Sequence, residues 1–274
     1  MAESVTTYAR ATAPDEGAPP IPDAVAAVIR ARAGELLAPR VHRLFRSSLV
    51  LDALDPAEAA GPDAPGADGG RLGGLPGLPD GTDWPAFAGR PMQLLAQLDC
   101  AGLAAAFRAG GPAGGDWPLP ADGLLLFFHD EWLTDFSGRG CRVLHVPVGA
   151  PPRSAPADDR GTPAVPAVPV RAAWALSAPS YQDRELENVF PDDFLIALDL
   201  AQDVAEQLPR PAVRVLGWCD TDTGRPEGHR PLLQIESAAL DVDWGECVNV
   251  SFWITDEDLA AGRFDRVRHG FEVA

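Results

Sequence analysis

The sequence predicts an α+β fold, a mainly antiparallel β-sheet built from two pseudo-repeated halves with a few peripheral helices. Three observations carry this expectation. One block, Arg71-Leu-Gly-Gly-Leu-Pro-Gly-Leu-Pro-Asp80 followed by Arg90-Pro-Met-Gln-Leu-Leu-Ala-Gln-Leu-Asp99, is echoed by Arg214-Val-Leu-Gly-Trp-Cys-Asp220 followed by Arg230-Pro-Leu-Leu-Gln-Ile-Glu236. A repeated unit usually buries its apolar face against its twin. A further apolar run follows each copy, Gly123 to Phe128 and Val248 to Ile254, and short Gly or Pro turns separate the runs, as in an antiparallel sheet. Helical patterns stand at the start, middle and end of the chain rather than after each strand, which argues against a βαβ succession.

Residues 1 to 20, rich in Ala, Thr and Pro and without periodicity, are expected to be a disordered tail, leaving residues 21 to 274 as a single domain. A helix is predicted from Asp23 to Ala38. Val25, Val28, Ile29, Arg32, Leu36 and Leu37 keep a helical stripe, Pro22 suits the entrance and Pro39 stops it. Val41 to Leu51 then reads as a strand. Residues 55 to 70 have almost nothing to bury and read as a surface excursion. Strands are predicted at Pro91 to Asp99, Gly123 to Asp130 and Arg142 to Val148, with a helical turn or two over Cys100 to Ala109. The halves span about residues 41 to 146 and 170 to 274, and a Pro-rich linker, residues 147 to 169, joins them. In the second half Pro191 to Leu208 is predicted helical, with Phe194, Leu198, Ala201, Ala205 and Leu208 as its stripe. Asp192 and Asp193 favour its N-terminal dipole and Pro209 ends it. Thr255 to Asp258 has the spacing of a capping box, and Asp265 to Val273 closes the chain as a strand.

At 274 residues and 46% hydrophobic content the chain can bury a large core. No apolar stretch approaches the roughly 20 residues that cross a bilayer, and Met1 to Arg10 lacks the apolar segment of a signal peptide. A cytoplasmic protein without membrane contact is therefore expected. The 22 basic residues are all arginines. Walker A loops, Schiff-base and pyridoxal-phosphate enzymes and protein kinases each need a lysine at the reacting group, so these classes fall away. The formal charge of -18 repels a phosphate backbone, which argues against nucleic acid and leaves a basic protein partner or a small ligand. Cys100, Cys141, Cys219 and Cys247 form no Cys-x-x-Cys pair, so buried free thiols are expected, with no metal and no cofactor.

The ordered series Gly73-Gly74-Leu-Pro-Gly-Leu-Pro79, Trp84-Pro85, Leu94-Leu-Ala-Gln-Leu-Asp99, Leu119-Pro-Ala-Asp-Gly-Leu-Leu-Leu-Phe-Phe128, Leu232-Leu-Gln-Ile-Glu236, Trp244-Gly245 and Phe252-Trp253 resembles the DUF1963, or YwqG-like, family. The resemblance runs from about residue 41 to the end, and its specificity lies in the order of the segments. It implies a bacterial, cytosolic α+β protein and brings no catalytic residues with it. Members usually place a Ser shortly before the Gly-Gly, where this chain has Gly69-Gly70-Arg71-Leu72. They often carry a His before the second Leu-Gly-aromatic and a Gln in the loop after it, where this chain has Val213 or Arg214 and then Asp220-Thr-Asp222. A ligand site built on those polar residues would be altered here.

Strand alternation places Leu95, Gln97 and Asp99 on one face and Leu94, Ala96 and Leu98 on the other; Leu232, Gln234 and Glu236 likewise oppose Leu233 and Ile235. Each half thus aims an amide and a carboxylate the same way. Halves packed about a two-fold axis would bring the pairs together in a cleft walled by Trp84 and Trp244, making Trp84, Gln97, Asp99, Gln234, Glu236 and Trp244 the candidate ligand-binding residues. The competing expectation is that each Gln bonds backbone groups of its adjoining Gly-rich loop. His129, Asp130, Glu131 and Asp135 are metal-type ligands in one stretch, but the remaining histidines are far off in sequence. Asp220 to Gly224 opens like a calcium loop without its closing glutamate, so a plain turn is favoured. No Gly-x-Ser-x-Gly elbow or dinucleotide fingerprint is present. The expected function is a non-enzymatic binding or interaction protein, in one version an acidic immunity-type or regulatory partner. The alternative is a hydrolase using Asp99 and Glu236 in a cleft between the halves.

Overall fold

Leu124–His129 is buried at every position, because both faces of this strand are covered. Leu125 and Phe127 point into the main core, while Leu124, Leu126 and Phe128 join Leu78, Met92 and Leu94 under the loop that follows Gly74. A continuous apolar run thus forms a strand when alternate residues meet different covers. The computed structural model describes residues 18–54, 68–130, 138–156, 165–220, 225–240 and 246–273.

Along the chain the elements are α1 (Asp23–His42), β1 (Arg46–Ala53), β2 (Gly70–Leu72), β3 (Ala86–Phe87), β4 (Arg90–Pro91), β5 (Gln93–Asp99), α2 (Cys100–Gly110), β6 (Leu124–His129), β7 (Cys141–Val146) and β8 (Val168–Ser177). They continue with α3 (Arg184–Glu187), α4 (Phe194–Ala205), β9 (Val213–Leu216), β10 (His229–Glu236), α5 (Ser237–Leu240), β11 (Cys247–Thr255), α6 (Asp256–Ala260) and, after a 3-10 turn at Phe264–Arg266, β12 (Arg268–Val273). Ten strands form one sheet in the order β12-β11-β10-β9-β1-β8-β2-β5-β6-β7, and β3 and β4 make a small separate hairpin. Every ladder is antiparallel, so the α+β class with a mainly antiparallel sheet holds. At the centre β1 and β8 pair from Arg46↔Ser177 to Ala53↔Val170. The central strands are exchanged: β1 pairs onward with β9 and β8 with β2, so neither end of the chain can leave the sheet alone.

The sheet curls until its two ends meet, nearly as a barrel. Phe127 of β6 lies edge-on to Phe252 of β11 with ring centroids 5.2 Å apart. The imidazoles of His129 and His269 are joined at 2.9 Å, and His269 N–H donates to Gly138 C=O at 3.1 Å. Helix α2 fills the main core with Cys100, Leu103 and Phe107. Helices α1 and α4 pack on each other and, through Phe45 and Leu176, on the adjoining ends of β1 and β8.

Several sequence expectations shift in detail. α1 continues through Pro39 and breaks instead at Gly34, whose φ of 66° is left-handed, since glycine alone takes that conformation without cost. The first strand accordingly begins at Arg46 rather than Val41. α4 buries Ala197, Leu200 and Val204 and leaves Phe194 58% exposed, a stripe rotated from the predicted one because α1, not the sheet face, is its main neighbour. Asp193, the residue before the first turn, caps α4 by accepting from Ile196 N–H. Thr255 caps the helix as predicted, Oγ1 accepting from Asp258 N–H at 3.1 Å, while the second bond of the pair joins the Thr255 hydroxyl, rather than its backbone N–H, to Asp258 Oδ2 at 2.9 Å. Residues 1–17 of the expected tail, 55–67 of the surface excursion and 157–164 of the linker lie outside the described residues. The described part of the linker is docked: Pro152 bridges Gly77, Arg153 N–H donates to Pro76 C=O at 3.0 Å and Gly74 N–H to Val165 C=O at 2.8 Å. No helix among the described residues is long and apolar enough to cross a membrane.

Candidate functional site

The same local arrangement is built twice. Arg71 of β2 stands opposite Gln97 of β5, and Arg214 of β9 stands opposite Gln234 of β10. Beyond each arginine strand the chain turns through two successive left-handed residues, Gly73 and Gly74 at φ 59° and 74°, and Leu216 and Gly217 at φ 61° and 73°. At Gly217 a side chain is excluded sterically too, because a Cβ would lie 2.7 Å from Ser48 Cβ. The turned loop then returns over the glutamine. Gln97 Oε1 accepts from Gly77 N–H at 2.8 Å, and Gln234 Oε1 accepts from Asp220 N–H at 2.9 Å. Both glutamines are buried, 8% and 1% exposed, and each satisfies a backbone donor of its own loop, as buried amides must.

A register slip precedes each glutamine, between Leu94 and Ala96 in β5 and between Pro231 and Leu233 in β10. These bulges correct the simple alternation expected from sequence: Leu95 joins Ala96 and Leu98 in the main core, as Leu232 joins Leu233 and Ile235. A bulge inserts one residue and so flips every side chain before it relative to those after it.

The two copies differ in what lies over them. In the first, Arg71 donates to Leu75 C=O and to Gln97 Oε1 at 3.1 Å, and the segment around Pro152 closes over Gly77. The approach is tight, since a Cβ on residue 77 would sit 3.0 Å from Ala150 O. In the second, a cleft of about 380 Å³ opens instead. Its polar lining includes Arg210, Arg214, Cys219, Asp220 and Glu236, with Ser180 and Gln202 at its side; its apolar side includes Pro179, Ala201, Ala205 and Leu208, with Tyr181 also lining it.

Arg214 is only 6% exposed and among the described residues has one ion-pair partner, Asp220 at 3.3 Å. Its Nε is buried without an acceptor among the described residues. Asp220 is held in turn by Gln234 Nε2, which donates to Oδ2 at 2.9 Å. Glu236 closes the strand with its backbone N–H on Ala212 C=O at 2.8 Å, and its carboxylate has no hydrogen-bond or ion-pair partner among the described residues. Burial raises the Glu236 carboxyl above its ordinary range, with Asp220 and Glu272 adding repulsion and Arg214 opposing them. The Cys219 thiol, pushed up to about 12 by burial, stays protonated and unreactive at neutral pH.

A carboxylate whose folded pKa is raised is destabilising when ionised; the cost is absent below the unfolded pKa and grows as pH rises towards the folded one. Glu236→Gln is therefore expected to raise Tm at pH 7 by about one or two degrees, a small effect for a partly solvated group, and to give no gain at pH 4. Thermal unfolding at both pH values checks this, and equal gains at both would disprove it.

The remaining predicted site residues lie elsewhere. Asp99 caps α2, accepting from Gly102 N–H at 2.9 Å. Trp84 donates to Met92 C=O at 2.9 Å and rests edge-on against Phe128 at 5.6 Å, beneath the loop of the first copy. Four strands separate β5 from β10 in the sheet, and neither Gln97, Asp99 nor Trp84 lines the cleft at Glu236; the two glutamine–acid pairs do not face a common space there. Trp244, Glu131, Asp135 and residues 221–224 lie outside the described residues. Among the described residues no group of three or more His, Cys, Asp or Glu is arranged to hold a metal ion, and the four cysteines are free and buried. Arg214 and Asp220 are not among the candidate ligand-binding residues read from the sequence, though they stand where the resemblance places polar residues of a possible ligand site, and Arg214 also echoes Arg71 in the repeated block. A family model described as "Domain of unknown function (DUF1963)" matches residues 70–272. No curated protein matches the chain.

Proposed function

The chain belongs to the DUF1963 family, and from that premise we infer that it is a non-enzymatic binding protein whose ligand site is the cleft beside β9 and β10. One observation carries this reading: a single arginine–glutamine–loop arrangement is sealed by the chain's own Pro152 segment in one copy and open in the other. Where it is sealed, the arginine's donors meet a backbone carbonyl and the glutamine. Where it is open, a buried guanidinium and a carboxylate without a partner among the described residues face a concave, partly apolar space, which is how small-molecule sites are built.

The hydrolytic alternative requires Asp99 and Glu236 as acid and base on one substrate, whereas Asp99 is engaged as a helix cap and, of the two, only Glu236 borders the cleft. An immunity-type role against a basic protein would draw on the overall charge of -18 rather than on this cleft. A thermal-shift screen of small molecules against the wild type and Ala205→Trp, which fills the cleft from α4, separates these readings. A true ligand at 100 times its Kd adds about 2.7 kcal/mol, a Tm rise of roughly 5 to 10 °C for a chain of this size, and Ala205→Trp is expected to remove it. Compounds that stabilise both proteins equally would count against the cleft, as would a library that shifts neither.

A further inference from the structure

The charges lining the cleft are of both signs, Arg210 and Arg214 against Asp220 and Glu236, and of the two arginines only Arg214 is buried. Arg214 presents a buried guanidinium paired with Asp220 at 3.3 Å, and its Nε lacks an acceptor among the described residues. Glu236 presents a carboxylate without a partner among the described residues, close enough to Asp220 and Glu272 to feel their repulsion. Arg214 stands opposite Gln234 across the β9–β10 ladder, and Glu236 lies two residues further along the same strand. The two charged groups are therefore diagonal neighbours on one face, with backbones roughly 7 to 8 Å apart.

A ligand with only a negative group would meet Arg214 but be repelled by Asp220 and Glu236. A ligand with only a positive group would satisfy the acids and leave the buried guanidinium unmet, at the cost of an unsatisfied buried donor. A molecule with a carboxylate and an ammonium on one carbon satisfies both sides at once. The α4 side of the cleft is largely apolar, formed by Ala201, Ala205 and Leu208 with Pro179, while Ser180, Tyr181, Gln202 and the exposed Arg210 complete the lining. A volume of about 380 Å³ lies near the lower end of small-molecule sites, the size class of a single residue with its side chain.

Resting on the reading of this cleft as the ligand site, we propose that it binds a free α-amino acid with an uncharged, apolar side chain, its carboxylate on Arg214, its ammonium between Glu236 and Asp220, and its side chain against α4. The same placement distinguishes an amino acid from a peptide interior, which carries neither charge.

Isothermal titration of the full chain with leucine, phenylalanine, N-acetylleucine and isoamylamine tests it. Leucine or phenylalanine is expected to bind saturably, while the acetylated analogue, which lacks the cation, and the decarboxylated amine, which lacks the anion, each bind at least about tenfold more weakly. In Glu236→Gln the preference for leucine over N-acetylleucine should fall, and in Ala205→Trp all binding should vanish. Neither variant removes the buried arginine, and circular dichroism establishes that each is folded. The proposal is overturned if no proteinogenic amino acid gives saturable heat up to about 10 mM, or if binding is unchanged in Ala205→Trp. If amino acids fail while other compounds stabilise only the wild type in the thermal-shift screen, the cleft remains the site and the ligand class is wrong; if those also fail, both readings fall.

Discussion

Phe252→Ala is expected to lower the free energy of unfolding by about 3 to 5 kcal/mol, the usual cost of truncating an enclosed aromatic ring. Phe252 has no exposed surface. Its ring meets Phe127 at 5.2 Å and the His129 imidazole at 6.2 Å, and those partners belong to β6 while Phe252 belongs to β11, near opposite ends of the sheet. The lost contacts are therefore the ones that hold the curl. Phe127→Ala should cost a similar amount, and the double variant less than the sum by about 0.5 to 3 kcal/mol, because both truncations open the same cavity. Urea denaturation followed by fluorescence and circular dichroism reads this directly. A strictly additive pair, or a loss below about 1 kcal/mol for Phe252→Ala, would show that the two ends of the sheet do not share a core.

Gln97→Leu is expected to cost about 2 to 3 kcal/mol and Gln234→Leu about 1 kcal/mol, although both glutamines accept from a loop N–H. Gly77 is buried beneath the Pro152 segment, so removing Gln97 strands its N–H where water cannot reach. Asp220 is exposed on the open cleft, so water replaces Gln234 at its N–H. Equal losses in chemical denaturation would mean that the two copies are covered alike, against the geometry described here.

Much of the fold was legible in the residues. Short apolar runs between Gly and Pro turns form the strands, and Thr255 caps α6. The four cysteines are buried free thiols. Even the expectation that each glutamine serves its own loop is met at Gly77 and Asp220. These features are local: a turn, a cap or a loop bond forms between residues close in sequence or joined by one ladder, so pattern alone reports them. The misreadings have a common origin. Pro39 was expected to end α1, but Gly34 breaks it, because packing on α4 outweighs one missing hydrogen bond. The stripe of α4 is set by α1, a partner no periodicity identifies. The bulges before Gln97 and Gln234 move whole sets of side chains between faces, and an inserted residue leaves no mark in an unbroken apolar run.

The sequence by itself determined the strands, the antiparallel α+β class, the family and the twice-written glutamine that holds each loop. Only the tertiary structure decided that one copy is sealed and the other open, and that Arg214 stands with Asp220 and Glu236 in the open one. Whether a polar pair is covered depends on which distant segment crosses over it, here the chain around Pro152 upon Gly77, and such long-range contacts are chosen by the competition of all packing arrangements at once.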